Sequence, residues 1–187
     1  MDDCTLTTVR TATATDAAGI ARAHIDTWRD TYAGIIPTRI LLKMSERAHV
    51  AMWSAELARS RGDGTIVVAD VAGAGVVGFG SCGRARIAKP PYVGEVFTLY
   101  VQPDYQGIGV GKCLLASLFR RLLAKDLPSA LIWVLADNPA RFFYQAMGGA
   151  LVAVRTQRLW GTELRESGYG WADLKQAVRP SGPCSTV

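Results

Sequence analysis

One stretch near the middle of the chain limits its fold more than any other: Gly94-Glu95-Val96-Phe97-Thr98-Leu99-Tyr100-Val101-Gln102-Pro103-Asp104-Tyr105-Gln106-Gly107-Ile108-Gly109-Val110-Gly111-Lys112, followed by the apolar run from Cys113 to Leu123. It reads as a strand, a proline-marked turn, a glycine-rich loop and a helix. In that order the backbone N–H groups at the helix start, and the positive end of its dipole, face the loop mouth, where an anion is favoured. A phosphorylated ligand is the expected occupant.

The spacing separates the known phosphate cradles. A nucleotide P-loop needs Gly, four residues, then Gly-Lys-Ser/Thr; here Gly111-Lys112 is followed by Cys113, and Gln106 stands where the first glycine belongs. A dinucleotide fingerprint needs G-x-G-x-x-G; Gly107, Gly109 and Gly111 give G-x-G-x-G, with Lys112 at the place of the third glycine.

The pattern that fits is Gln/Arg-x-x-Gly-x-Gly/Ala, met by Gln106, Gly109 and Gly111, and it resembles the acyl-coenzyme A loop of the GNAT superfamily of N-acetyltransferases. Three further segments resemble GNAT elements in the family's order: the strand Glu95 to Val101 with Pro103 after it, the segment from Ala136 to Gly149, and the opening from Trp28 to Pro37. The resemblance covers roughly residues 5 to 175 and departs from the family at Gly149-Ala150, where the family often has Gly-Phe. It implies a single-domain mixed α/β fold, a central twisted sheet of about six to seven strands flanked by about four helices. The domain is expected over 1–176, with a disordered tail over 177–187 rich in Pro, Ser and Gly.

Composition agrees. At 187 residues with 49% hydrophobic content the chain can build one large core. No apolar run reaches the roughly 18 residues a membrane span needs, and the polar start Met1-Asp2-Asp3-Cys4 is unlike a signal peptide, so a cytoplasmic protein without a membrane partner is expected. Four scattered cysteines and two histidines, with no Cys-x-x-Cys, suggest neither a zinc site nor a disulfide framework. The net charge of +5 is carried by dispersed residues, the densest group being Arg84, Arg86 and Lys89 in an expected loop, which argues against a nucleic-acid partner.

Along the chain, expected elements are a strand from Leu6 to Arg10, a helix capped at Thr15 or Asp16 and running to about Ala33, and helical segments from Arg39 to Ser60 broken near Ser45. A hairpin of Thr65–Asp70 with Val76–Ser81 follows, then the strand Tyr92 to Val101, the helix Gly109 to Lys125 and a buried parallel strand Leu131 to Leu135. A helix from Asn138 to the Gly148-Gly149 pair, and strands over Ala150–Leu159 and Gly168–Leu174, complete the chain.

The resemblance implies roles residue by residue. Acetyl-CoA, as co-substrate and with no metal, would be held by the backbone of Ile108, Gly109, Val110, Gly111 and Lys112 together with Gln106, by Tyr100 and the Val101 N–H along the strand, and by Asn138 on the pantetheine arm. Tyr144 would deliver a proton to the leaving thiolate, and Glu95 would serve as base or position a water that does. Alternation puts Glu95 on one face with Phe97, Leu99 and Val101. Trp28 and Tyr32, on one stripe with Ile20 and His24, would bind a small-molecule or peptide amine. Direct transfer in a ternary complex is the expected mechanism, and the family also allows a homodimer. Two other readings stay open: a longer acyl donor, and a non-catalytic acyl-CoA sensor or partner-binding protein.

Overall fold

The computed structural model describes residues 7–60, 62–89 and 91–178, with side chains left aside at 87–89. A seven-stranded sheet runs in the order β1-β2-β3-β4-β5-β7-β6. Its strands are β1 (Thr7–Thr11), β2 (Ile66–Val71), β3 (Gly75–Lys89), β4 (Tyr92–Val101), β5 (Ala130–Leu135), β6 (Ala150–Leu159) and β7 (Thr162–Trp171). Every neighbouring pair is antiparallel except β4–β5, which is parallel because a helix carries the chain across. The helices are α1 (Ala17–Thr31), α2 (Thr38–Leu42), α3 (Glu46–Ser60), α4 (Val110–Leu123), α5 (Ala140–Ala146) and α6 (Leu174–Ala177).

Period-2 alternation in β2 divides the core. Val67 and Ala69 pack with Leu114, Leu115 and Leu118 of α4, whereas Ile66 and Val68 pack with Ile20 and Ala21 of α1 and Trp53 and Leu57 of α3. Leu114, Leu118 and Leu122 are fully buried, and each contributes roughly 1.5–3 kcal/mol by leaving water. The start of α1 is fixed by charge: Asp16, 5% exposed, accepts from the Thr13 N–H and hydroxyl and from Arg10, which also bridges to Asp70.

Several expectations need correction. The strand β3 continues to Lys89 and pairs with β4, so Arg84, Arg86 and Lys89 lie in the sheet and not in a loop; the apolar pattern that would mark a strand stops at Ser81 because the outer half of β3 is lined with charge. The last strand starts earlier than Gly168, and Leu174 opens α6, where the Asp173 carboxylate accepts from the Lys175 and Gln176 N–H groups. Residues 177 and 178 are structured, and the remainder of the expected tail, 179–187, lies outside the described residues. Cys113 is disulfide-bonded. Cys82 is a free thiol, 2% exposed, whose pKa burial pushes up to about 12. At Gly149 a Cβ would stand 2.7 Å from the Trp171 ring and 2.9 Å from the Tyr144 carbonyl oxygen, so the close approach requires glycine.

Candidate active site

The site begins where β4 and β5 stop pairing. Their parallel ladder consists of Gly94↔Ala130, Glu95↔Leu131 and Val96↔Ile132; beyond it the two strands separate around a cavity of about 550 Å³. Phe97 to Val101 line one wall, Ile132 to Val134 the other, and Asn138, Phe143, Tyr144 and Met147 close the side near α5. Gln106, Gly107, Gly109, Gly111 and Lys112 form the mouth at the start of α4.

A bulge sets which side chains reach this space. The β3–β4 register passes from Ser81↔Thr98 to Cys82↔Val96, leaving Phe97 without a partner. An extra residue puts two neighbours on one face and shifts the alternation on either side. Val96, Leu99 and Val101 therefore pack toward α4, while Tyr100 packs toward α1. Glu95 and Phe97 share Arg86 as partner on the face away from α4, so Glu95 does not share a face with Leu99 and Val101 as simple alternation predicts.

The same ladder aims a backbone donor. Gln102 N–H bonds Val77 O, which makes Gly78↔Val101 a pair without mutual hydrogen bonds. The Val101 N–H and C=O then point away from β3, toward the gap that β5 has left. The carbonyl is held by two donors, the Thr27 hydroxyl at 3.1 Å and the Gln106 side-chain amide at 2.9 Å. Gln106 thus acts on the strand end and not only on the loop. Thr27 escaped sequence reading because it stands one position off the Trp28 stripe; a hydroxyl on the buried face of α1 was its only signal.

The mouth fits an anion. Gly109 caps α4 in the left-handed region, φ 96°, and the first turn closes with Cys113 N–H to Gly109 O. The Val110 and Gly111 N–H groups precede that bond and stand at the positive end of the helix. No heavy atom lies within 4 Å of where a Cβ on Gly109 would be. This is a cradle for a pyrophosphate, with the backbone doing the binding. Val110 is buried in the core and Ile108 is exposed, so their side chains contribute nothing to the cavity.

Three phenols meet inside. Tyr32, Tyr100 and Tyr144 line the cavity, and burial raises all three above the ordinary phenol value, Tyr144 further through Tyr100. They keep their protons at any working pH. Asn138, 4% exposed, donates to the Tyr32 hydroxyl at 3.2 Å and accepts the Ala140 N–H at 2.8 Å, so it both ties the wall together and starts α5.

Two expected residues stand elsewhere. Trp28 does not line the cavity; it packs edge-on against Tyr32 and Trp160. Glu95, 3% exposed, lies outside the cavity lining, and its carboxylate accepts from the Arg86 backbone N–H and guanidinium. Phe97, Trp133 and Phe143 line the cavity in ways the sequence did not signal, because large apolar residues on strands and helices read as core. Among the described residues, no group of three or more His, Cys, Asp or Glu is placed to hold a metal.

The comparisons with known proteins agree with this geometry. Residues 19–149 match the family model described as Acetyltransferase (GNAT) family. The N-acetyltransferase YuaI of Bacillus subtilis is 35% identical over 169 residues, covering 90% of this chain and 95% of that protein. Among solved structures, the PaiA N-acetyltransferase of Thermoplasma acidophilum in complex with coenzyme A aligns with TM-score 0.64 at 21% identity over 86% of this chain and 97% of that one. YncA of Salmonella typhimurium with its cofactor acetyl-CoA aligns with TM-score 0.63 at 23% identity over 90% and 94%. The chain belongs to the GNAT acetyltransferase family. It is an acetyl-CoA-dependent N-acetyltransferase with the mixed α/β fold of that family.

Proposed function

We propose that this chain moves the acetyl group of acetyl-CoA directly to a primary amine, both substrates sharing the cavity between β4 and β5. The observation that carries the reading is the convergence on one cavity of a helix-start cradle, a backbone N–H aimed off β4 at Val101, and a phenol that keeps its proton at Tyr144.

The Val110 and Gly111 N–H groups hold the pyrophosphate, with Gln106 and Lys112 flanking them. Asn138 and Tyr100 border the pantetheine arm. The Val101 N–H stabilises charge on the carbonyl oxygen as the amine attacks, an interaction worth a few kcal/mol in such sites. A C–N bond forms and the C–S bond breaks; the Tyr144 hydroxyl gives its proton to the departing sulfur, and the proton that the attacking nitrogen sheds restores the phenol, directly or through water. The amine enters neutral, its ammonium proton released to solvent beforehand, because the strand carboxylate Glu95 is committed to Arg86. Tyr32 shapes the wall beside the acceptor, with Trp28 behind it.

The test is titration calorimetry with acetyl-CoA, followed by thiol release against a panel of primary amines. Binding with release for some amine supports the transferase. Binding without release across the panel favours an acyl-CoA sensor, and absence of binding removes the assignment of the cradle.

A further inference from the structure

The end of β4 has lost its β5 neighbour and is pinned on that open side by residues of two other elements. Pairing with β5 stops at Val96↔Ile132, and beyond Phe97 only β3 continues the ladder, through Phe79↔Tyr100 and Gly78↔Val101. The peptide joining Val101 to Gln102 is nevertheless held at both edges. Its N–H bonds Val77 O at 2.9 Å, and its C=O accepts from the Thr27 hydroxyl of α1 at 3.1 Å and from the Gln106 amide at 2.9 Å. Pro103 follows and has no N–H with which to extend the ladder.

The two donors differ in stiffness. Thr27 is 5% exposed, stands between buried Ala23 and Ile25 on one side and Tyr32 on the other along α1, and its branched side chain has one stiff torsion. Gln106 is an exposed residue of the cradle loop, with a long side chain whose ordering costs rotamer freedom. Thr27 is thus the fixed anchor of the pair. It also lines the cavity. In an extended strand the N–H and C=O of one residue point to the same side, so a fixed Val101 carbonyl fixes the direction of the Val101 N–H. That direction decides the rate: a donor stabilises an oxyanion only where it is aimed at it, and a misplacement of about 1 Å in a reacting geometry costs on the order of 100-fold.

We infer that Thr27 is a positioning residue of the transfer step: through the Val101 carbonyl, its hydroxyl aims the Val101 N–H at the thioester oxygen. This rests on the transferase reading above. Two variants of the full chain test it: Thr27→Val removes the hydroxyl and keeps the branching, and Thr27→Ser keeps the hydroxyl and removes the methyl. Infrared spectra of bound acetyl-CoA with an isotope-labelled thioester carbonyl, recorded without an acceptor, read the hydrogen bond directly, because a donor lowers the C=O stretching frequency. The parent and Thr27→Ser should absorb below free acetyl-CoA, and Thr27→Val close to it. With the amine that releases most thiol in the panel above, Thr27→Val should lower kcat by about 10- to 100-fold while the KM of the amine and the Kd of acetyl-CoA stay within about 3-fold, and Thr27→Ser should recover most of the rate. Parental band and kcat in Thr27→Val overturn the inference while the transferase stands. So does a Thr27→Ser protein as slow as Thr27→Val, which assigns the effect to packing of the methyl, or a KM and Kd that rise as far as kcat falls, which assigns it to general loosening. A parent whose bound carbonyl absorbs at the free frequency removes the Val101 N–H itself from the proposed reaction, and the role of Thr27 with it.

Discussion

Gly111→Ala separates what the cradle needs for folding from what it needs for the ligand. Gly111 lies inside the first turn of α4 with an ordinary helical backbone, and an added Cβ would stand 3.4 Å from the Phe143 ring, normal van der Waals contact. Alanine is the better helix former by up to about 1 kcal/mol, less in a first turn. Unfolding should therefore shift upward by roughly 1–4 °C for a chain of this length. Acetyl-CoA binding should move the other way. The methyl narrows the cavity mouth that Gly111 lines, and loss of one charge-assisted hydrogen bond to the pyrophosphate, about 1.5–3 kcal/mol, weakens Kd by roughly 10- to 150-fold. Gly109→Ala is the control: its Cβ meets nothing, but φ is 96°, a conformation costing a side-chain-bearing residue about 1–2 kcal/mol, so its Tm should fall by roughly 2–8 °C. Thermal unfolding of the ligand-free proteins and calorimetric titration read both quantities. A Gly111→Ala protein that binds acetyl-CoA as tightly as its parent would refute the cradle, and one that melts lower would refute the packing argument.

Tyr144→Phe should lower kcat by about 100-fold while acetyl-CoA affinity stays within a few-fold, since the phenol acts in transfer; steady-state kinetics with calorimetry decides, and an unchanged kcat removes Tyr144 from the reaction. Glu95→Gln, by contrast, should slow kcat by less than about 10-fold and keep the acidic limb of the pH profile, because the carboxylate serves Arg86; a loss approaching 1000-fold with that limb gone restores it as the base. His24 accepts from the Trp53 indole N–H and stacks on Tyr100, and burial with His49 nearby lowers its pKa from 6.5 to about 4. The folded protein thus binds fewer protons than the unfolded chain in that window, so stability present above pH 6.5 is lost as pH falls toward 4, on the order of 3 kcal/mol in total. Denaturant melts across this range should show the slope in the parent and a flatter one in His24→Gln; equal slopes would mean that other groups carry it.

The loop and its helix were legible because their signals are local. Glycine at 109 is demanded by one residue's φ, the helix by its apolar spacing, and the turn by Pro103. The parallel strand β5 was readable from a continuous apolar run after a crossover helix, and Tyr144 and Asn138 from their spacing in one short segment. The sheet order, with β7 between β5 and β6, has no such local signature.

What the chain alone determines is thus the set of elements and the anion cradle, both written in residues that lie next to one another. Tertiary structure decided the rest of the site. A single unpaired residue, Phe97, inverted the alternation of β4, sent Glu95 to Arg86 and turned the Val101 N–H into the gap. Thr27, Val101 and Gln106 meet only because α1, β4 and the loop converge, and Arg155 reaches Trp133 across β7. Contacts of this kind join residues distant in sequence, and the register that creates them is set by pairing energies summed over a whole sheet, which no short motif encodes.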